Sequence, residues 1–155
     1  MNIEKENFLR TKLISLLHQL REEEPARWGK MNVRQMIEHM IDVMMVANGK
    51  LKLPIVTPAD KLPRYQEFMM SEKPFKENTR SPVLGEEPVP LKKHTKEAAI
   101  GKLQEELIYF FEAFAKNPVL ITTHPVFGEL NFEMNVQILH KHALHHLRQF
   151  GVNVI

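Results

Sequence analysis

The sequence predicts an all-α protein, a four-helix bundle with a long Pro-rich crossover between the second and third helices. Four stretches place apolar residues at the helical repeat and are closed off by cap and breaker residues. Strand-like composition is confined to 119–123. Pro54, Pro58, Pro63, Pro74, Pro82, Pro88 and Pro90 forbid any long regular element in the middle of the chain. At 155 residues the expectation is a single domain over 1–155, long enough to bury one core without staples.

The first helix is written by Leu9, Leu13, Leu16, Leu17 and Leu20, and the charged run 21–24 ahead of Pro25 ends it. His18, a lone helical histidine, is expected at the surface or as core filler. Trp28-Gly29-Lys30-Met31-Asn32 leads into the second helix, where Val33, Met36, Ile37, Met40, Ile41 and Met44 share a face and Asn48-Gly49 closes the run. The Asn32 side chain can cap it. His39 flanks the Met36 and Met40 face, so it is expected to point towards a neighbouring element, with a hydrogen-bonded core histidine as the alternative. The methionines read as adaptable core.

The crossover, 50–93, has room for one short helix near 59–70 and is expected to cover one mouth of the bundle, an ordered linker being the alternative. His94, beside Lys92 and Lys93, is expected to face solvent. Thr95 caps a third helix in which Ile100, Leu103, Leu107, Phe110, Phe111 and Phe114 form a wide apolar stripe ending at Asn117-Pro118. Nothing titratable is expected on that stripe. The interval 119–130 holds a short apolar run and then a turn-rich segment, His124 to Leu130, that aims the last helix. His124, held extended before Pro125, is expected to anchor this turn.

The last helix, over 131–149, contains no Pro or Gly, and Phe132, Val136, Leu139, Ala143, Leu147 and Phe150 line one face. His142 and His146 stand one turn apart along the edge of that stripe, where two imidazoles can share a metal ion. One turn supplies only two ligands, and the candidate for the third is His39. Gln149 and Asn135 lie along the same edge and are candidates to hold ligand histidines or substrate, with packing as the alternative. His145 stands next to that edge as a candidate proton shuttle, replacement ligand or surface residue.

Composition narrows the remaining possibilities. With no cysteine there are no disulfides or thiolate metal sites, so any thiol chemistry needs a thiol brought in by a ligand. The net charge of +2 and scattered basic residues leave no nucleic-acid footprint. The first eight residues are charged and lack a signal-peptide core, and no stretch is apolar enough to span a bilayer, so a soluble cytoplasmic protein is expected.

Three groups of residues, Trp28-Gly29-Lys30-Met31-Asn32 with Gln35-Met36 and His39, His124-Pro125 with Phe127-Gly128 and Leu130, and 142–151, resemble the DinB/YfiT-like metalloenzyme superfamily, in a branch of uncharacterised bacterial proteins. The resemblance covers nearly the whole chain and fits best at the second and last helices. It implies a four-helix bundle, often a homodimer, holding a divalent metal (Zn, Ni, Fe or Mn) through His39, His142 and His146. It also implies a small-molecule substrate, with a low-molecular-weight thiol as cosubstrate, because characterised relatives are thiol-dependent transferases and isomerases. The expected function is therefore a divalent-metal-dependent enzyme of thiol-transferase or hydrolase type. The alternative is a non-catalytic metal-binding, dimerisation or sensing module, kept open because no Glu or Asp base stands beside the paired histidines as in zinc proteases. His146 is followed by Leu147, Arg148 and Gln149 where the family more commonly has Arg-Gly-Gln, which leaves Arg148 without an inherited role.

Overall fold

A computed structural model describes residues 3–77 and 95–153. His94 and the second half of the crossover, with Pro82, Pro88 and Pro90, lie outside the described residues. The described chain is mostly helical, with one small two-stranded sheet. None of its helices is long and apolar enough to cross a membrane.

The first helix, α1, runs continuously over 3–19 as Ile3–Asn7, a π turn at Phe8–Lys12, and Leu13–Gln19. The π turn has no signature in the leucine spacing. It keeps Leu9, Leu13 and Leu17 fully inside while Arg10 stays out, its guanidinium 3.7 Å above the Phe111 ring. Leu20 is already extended, so α1 stops just short of the charged run.

Helix α2 spans Val33–Ala47 and begins with a complete capping box. The Gln35 amide donates to the Asn32 side chain at 2.8 Å, and the Asn32 amide donates back to Gln35 Oε1 at 2.8 Å. Two of the free N–H groups at this end are thereby satisfied. A 3-10 turn, Ala59–Lys61, leads into the short helix α3, Leu62–Met70, with Pro63 in its first turn where a proline costs nothing. Helix α4, Lys96–Lys116, is capped by Thr95 as the sequence predicts.

Between α4 and the last helix the expected turn-rich segment closes into a hairpin. Strand β1, Thr122–His124, pairs antiparallel with β2, Gly128–Leu130, in the register Thr122↔Leu130 and His124↔Gly128. Gly128 takes φ +83°, the left-handed position that a three-residue hairpin loop needs. Helix α5, Phe132–Gln149, follows at once, capped by the Asn131 side chain. It ends in a Schellman turn: Gly151, at φ +79°, donates to the Arg148 carbonyl, and Val152 donates to that of Leu147.

Contacts at the helix ends fix their directions. Arg34 of α2 reaches Glu22 just past α1, and Lys96 of α4 donates to the carbonyls of His18 and Leu20. Asn48, at the far end of α2, meets Glu106 at the middle of α4, well past its start. Helices α2 and α4 therefore point the same way, opposite to α1. Phe132 at the start of α5 packs on Phe110 and Phe114, while Gln149 at its end reaches Trp28, so α5 runs against α2 and α4. One apolar core joins the inner faces of these helices, among them Leu13, Met36, Ile37, Leu103, Phe110 and Leu147.

A smaller cluster of Met69, Phe127, Leu130 and Ile138 seats α3 against the hairpin and α5. Polar bonds fix the same seat. Thr57 donates to the Val126 carbonyl, Gln66 to that of Phe127, and Lys141 to those of Ser71 and Lys73.

The expectation of a stripe on α4 free of titratable groups is corrected. Glu106 is 1 % exposed on that face, beside Leu103, Leu107 and Phe110. Burial pushes its carboxyl up, but bonds from Lys102, Asn48 and Lys50 outweigh it and hold the group below its ordinary value. A buried carboxylate is tolerated because several donors surround it.

Candidate metal centre

The capping box fixes the start of α2, and His39 lies nearly two turns inside it, on the side turned to α5. His142 and His146 sit one turn apart on α5. The antiparallel packing of these two helices carries all three imidazoles to one point. Their ligand nitrogens lie within 4.8 Å of one another, His146 buried and the other two partly exposed. The ring centroids form a near-equilateral triangle of 5.2, 4.9 and 4.7 Å.

Nε2 of His39 and Nε2 of His142 are 3.2 Å apart. Two nitrogens each about 2.05 Å from a common tetrahedral ion stand about 3.3 Å apart, so the pair already has the spacing of shared ligands. A hydrogen bond between two neutral rings has the same length, and this pair alone does not separate the two readings. His146 does. Its Nδ1 is 2.8 Å from Gln149 Oε1, while its Nε2 is buried with no hydrogen-bond partner among the described residues. A buried polar nitrogen without a partner costs about 1–3 kcal/mol, and a cation among the three rings would remove that cost.

Burial pushes the His39 imidazole down to about 4, with His145 adding a smaller effect. Burial, followed by the neighbouring histidines, holds His142 and His146 well below the ordinary value. All three are therefore neutral near neutral pH, the form that binds metal. Three neutral imidazoles without a carboxylate suit a first-row ion such as zinc or nickel better than magnesium or calcium. On these grounds the donor set fits the divalent metal that the resemblance implies.

The other candidates divide. Gln149 lies where the sequence places it, bonded to His146, and its amide nitrogen donates to the Trp28 carbonyl at 3.0 Å. Asn135 does not stand at the centre. It is two turns before His142, and its amide nitrogen donates to Thr122 Oγ1, Leu130 O and Asn131 O, tying the hairpin to α5. Of the two roles the sequence left open, Asn135 takes the packing one, because a helix extends about 10 Å over seven residues and carries it away from the ligand pair.

His145 is 7 % exposed, which removes the surface alternative. Its ring lies between Trp28 at 5.5 Å and Phe75 at 5.7 Å, outside the three-ligand group. Burial, then Arg148, pushes it down to about 4. His124 anchors its turn as expected, its Nδ1 accepting the amides of Val126 and Phe127, and burial pushes it down to about 4. His18 is exposed.

Two neighbours of the centre were not singled out from the sequence. Phe75 sets its ring against His142 at 5.9 Å, so the described part of the crossover does reach the site. The carbonyl of Trp28 carries no side-chain signal, although Gly29 beside it does: a Cβ there would come within 2.9 Å of Gln149 Nε2.

Comparison of the chain with protein-family models, with curated proteins and with solved structures gave no match. The DinB/YfiT-like resemblance therefore rests on the motif residues themselves.

Proposed function

We propose that this chain is a four-helix bundle of DinB/YfiT type that binds a divalent metal ion through His39, His142 and His146 and works as a metal-dependent enzyme. The observation that carries the reading is the buried Nε2 of His146, without a hydrogen-bond partner among the described residues, beside two further imidazoles. When bound, the ion would supply Lewis-acid activation of a coordinated nucleophile. The chain's own part is to present three neutral nitrogens, to hold His146 through Gln149, and to wall one side with Phe75 and the buried ring of His145.

Thiol transfer is favoured over hydrolysis on one ground. Among the described residues the ligand group contains no carboxylate to serve as a base. A thiol, which ionises near pH 8.5 unassisted, needs less help than water to become a nucleophile. A low-molecular-weight thiol is accordingly the proposed cosubstrate, with a small electrophile as its partner. The same lack of a carboxylate also favours a second reading, a non-catalytic metal-binding or sensing module. Homodimerisation is proposed through the outer face of α4, where Ile108 and Tyr109 are exposed.

Elemental analysis of protein purified without an affinity tag tests the metal. Stoichiometric first-row metal is expected in the natural chain and its loss in His142→Ala, with the helical circular dichroism retained. Metal kept at full stoichiometry in that variant would reject the site. Offering the loaded protein electrophiles with and without bacillithiol, mycothiol or glutathione then separates the readings. Metal-dependent consumption supports the enzyme, and none across a broad panel supports the module.

A further inference from the structure

A ligand histidine must offer a lone pair, and which nitrogen carries it depends on what the other one does. At His146 that choice is made outside the imidazole cluster. The Trp28 carbonyl can only accept, so the Gln149 side-chain group 3.0 Å from it must be the NH2. The amide is planar, so its oxygen is then the atom that faces His146 Nδ1 at 2.8 Å. An amide oxygen can only accept. Nδ1 must therefore carry the proton, which leaves the lone pair on Nε2, the buried atom without a partner among the described residues. The opposite amide flip would set oxygen against oxygen at Trp28, so the chain of bonds admits one arrangement.

Local backbone geometry makes room for this chain. Gly29 has φ +79° and sits so close that a Cβ would fall 2.9 Å from Gln149 Nε2. Next to it, the Arg27 amide donates to the Gln149 carbonyl at 2.7 Å, fastening the same turn to the end of α5. Arg27 also lies across Gly151, where a Cβ would meet its guanidinium at 2.8 Å. Two glycines thus allow the loop before α2 to close on the last turn of α5.

We propose that Gln149, clamped by the Trp28 carbonyl in the space left by Gly29, is a positioning residue that locks His146 as its Nδ1–H tautomer and so sets Nε2 as the metal-facing atom. The inference rests on the metal-binding reading only for its consequence, since the tautomer itself exists without metal. Hydrogen bonds of this kind commonly change metal affinity about 10–100-fold.

The test is long-range 1H–15N correlation spectroscopy of the imidazoles in metal-free protein, with cobalt(II) titration followed by its visible absorption. His146 of the natural chain should appear as the Nδ1–H form. Gln149→Leu should release it to a mixture of tautomers and weaken cobalt(II) binding about 10–100-fold. Gln149→Glu, whose carboxylate oxygen can only accept, should keep His146 in the Nδ1–H form although it gives up the bond to the Trp28 carbonyl. A natural chain with His146 in the Nε2–H form would overturn the proposal whether or not any variant folds. An unchanged tautomer and cobalt(II) affinity in Gln149→Leu would overturn it as well. A tautomer that shifts as expected in a protein that takes up no cobalt(II) would uphold the positioning role and reject the metal site instead.

Discussion

At the scale of single residues, burial or part-burial acts on six of the histidines. Burial is the leading cause of a lowered value for His39, His124, His140 and His145, each pushed to about 4, and for His142 and His146, which are held well below the ordinary value. In the unfolded chain each would titrate near 6.5. Between about pH 6.5 and 4 the unfolded state therefore binds more protons than the folded one, and stability falls as the pH drops through that window. The metal-free protein should show a urea midpoint that is flat above about pH 7 and declines steadily below about 6.5. A midpoint insensitive to pH across that range would mean that these rings are hydrated. The Asn32 cap makes a second, smaller prediction. Asn32→Ala removes the acceptor of the capping box and should cost about 1 kcal/mol in denaturant unfolding, with the metal ligands untouched.

Among the elements, the short helix α3 depends most on others. It is nine residues long and could not persist alone in water. Lys141 of α5 donates to the Ser71 and Lys73 carbonyls just past its end, and Gln137 adds a bond to Ser71. Lys5 reaches Glu72 and Gln137 from α1. These bonds pin the strand of chain that carries Phe75 to His142. Lys141→Met keeps the aliphatic stem but removes the donor. Hydrogen exchange should then speed up across 62–77 while α2 and α4 keep their protection; uniform loosening of the whole molecule would show that α3 is no separate unit. Helix α4 teaches a different point. Its apolar stripe is legible in the sequence, but Glu106 is hidden within it, because the donors Asn48 and Lys50 come from the end of α2.

For the whole molecule, the proposed site is a clamp between two helices whose ligands are 103 residues apart in sequence. Metal bound there would favour only the folded state, because the unfolded chain does not bring His39 to the other two. At free metal one hundred times the dissociation constant the gain is about 2.7 kcal/mol. Thermal unfolding should therefore shift upwards with added zinc in the natural chain and not in His39→Ala or His142→Ala. An equal shift in all three would place the zinc elsewhere. Homodimerisation through α4 has its own check: Tyr109→Glu should move the sedimenting species from dimer to monomer, and a monomeric natural chain would reject that interface.

The sequence by itself determined the helices, the Asn32 and Thr95 caps, the Pro-interrupted crossover and the pair His142 and His146. All of these follow from periodicity and short-range chemistry, which act over a few residues and leave their mark in the order of the amino acids. Tertiary packing alone decided that His39 meets that pair, that Asn135 serves the hairpin, that His145 is enclosed between Trp28 and Phe75, and that Glu106 is buried with its donors. It also decided the π turn in α1 and the pairing of Gly128-Glu129-Leu130 as a strand. Each of these depends on a partner distant along the chain. The tautomer of His146 shows this most plainly, since it is set by a backbone carbonyl at Trp28, a group that every residue carries and that only folding brings into place.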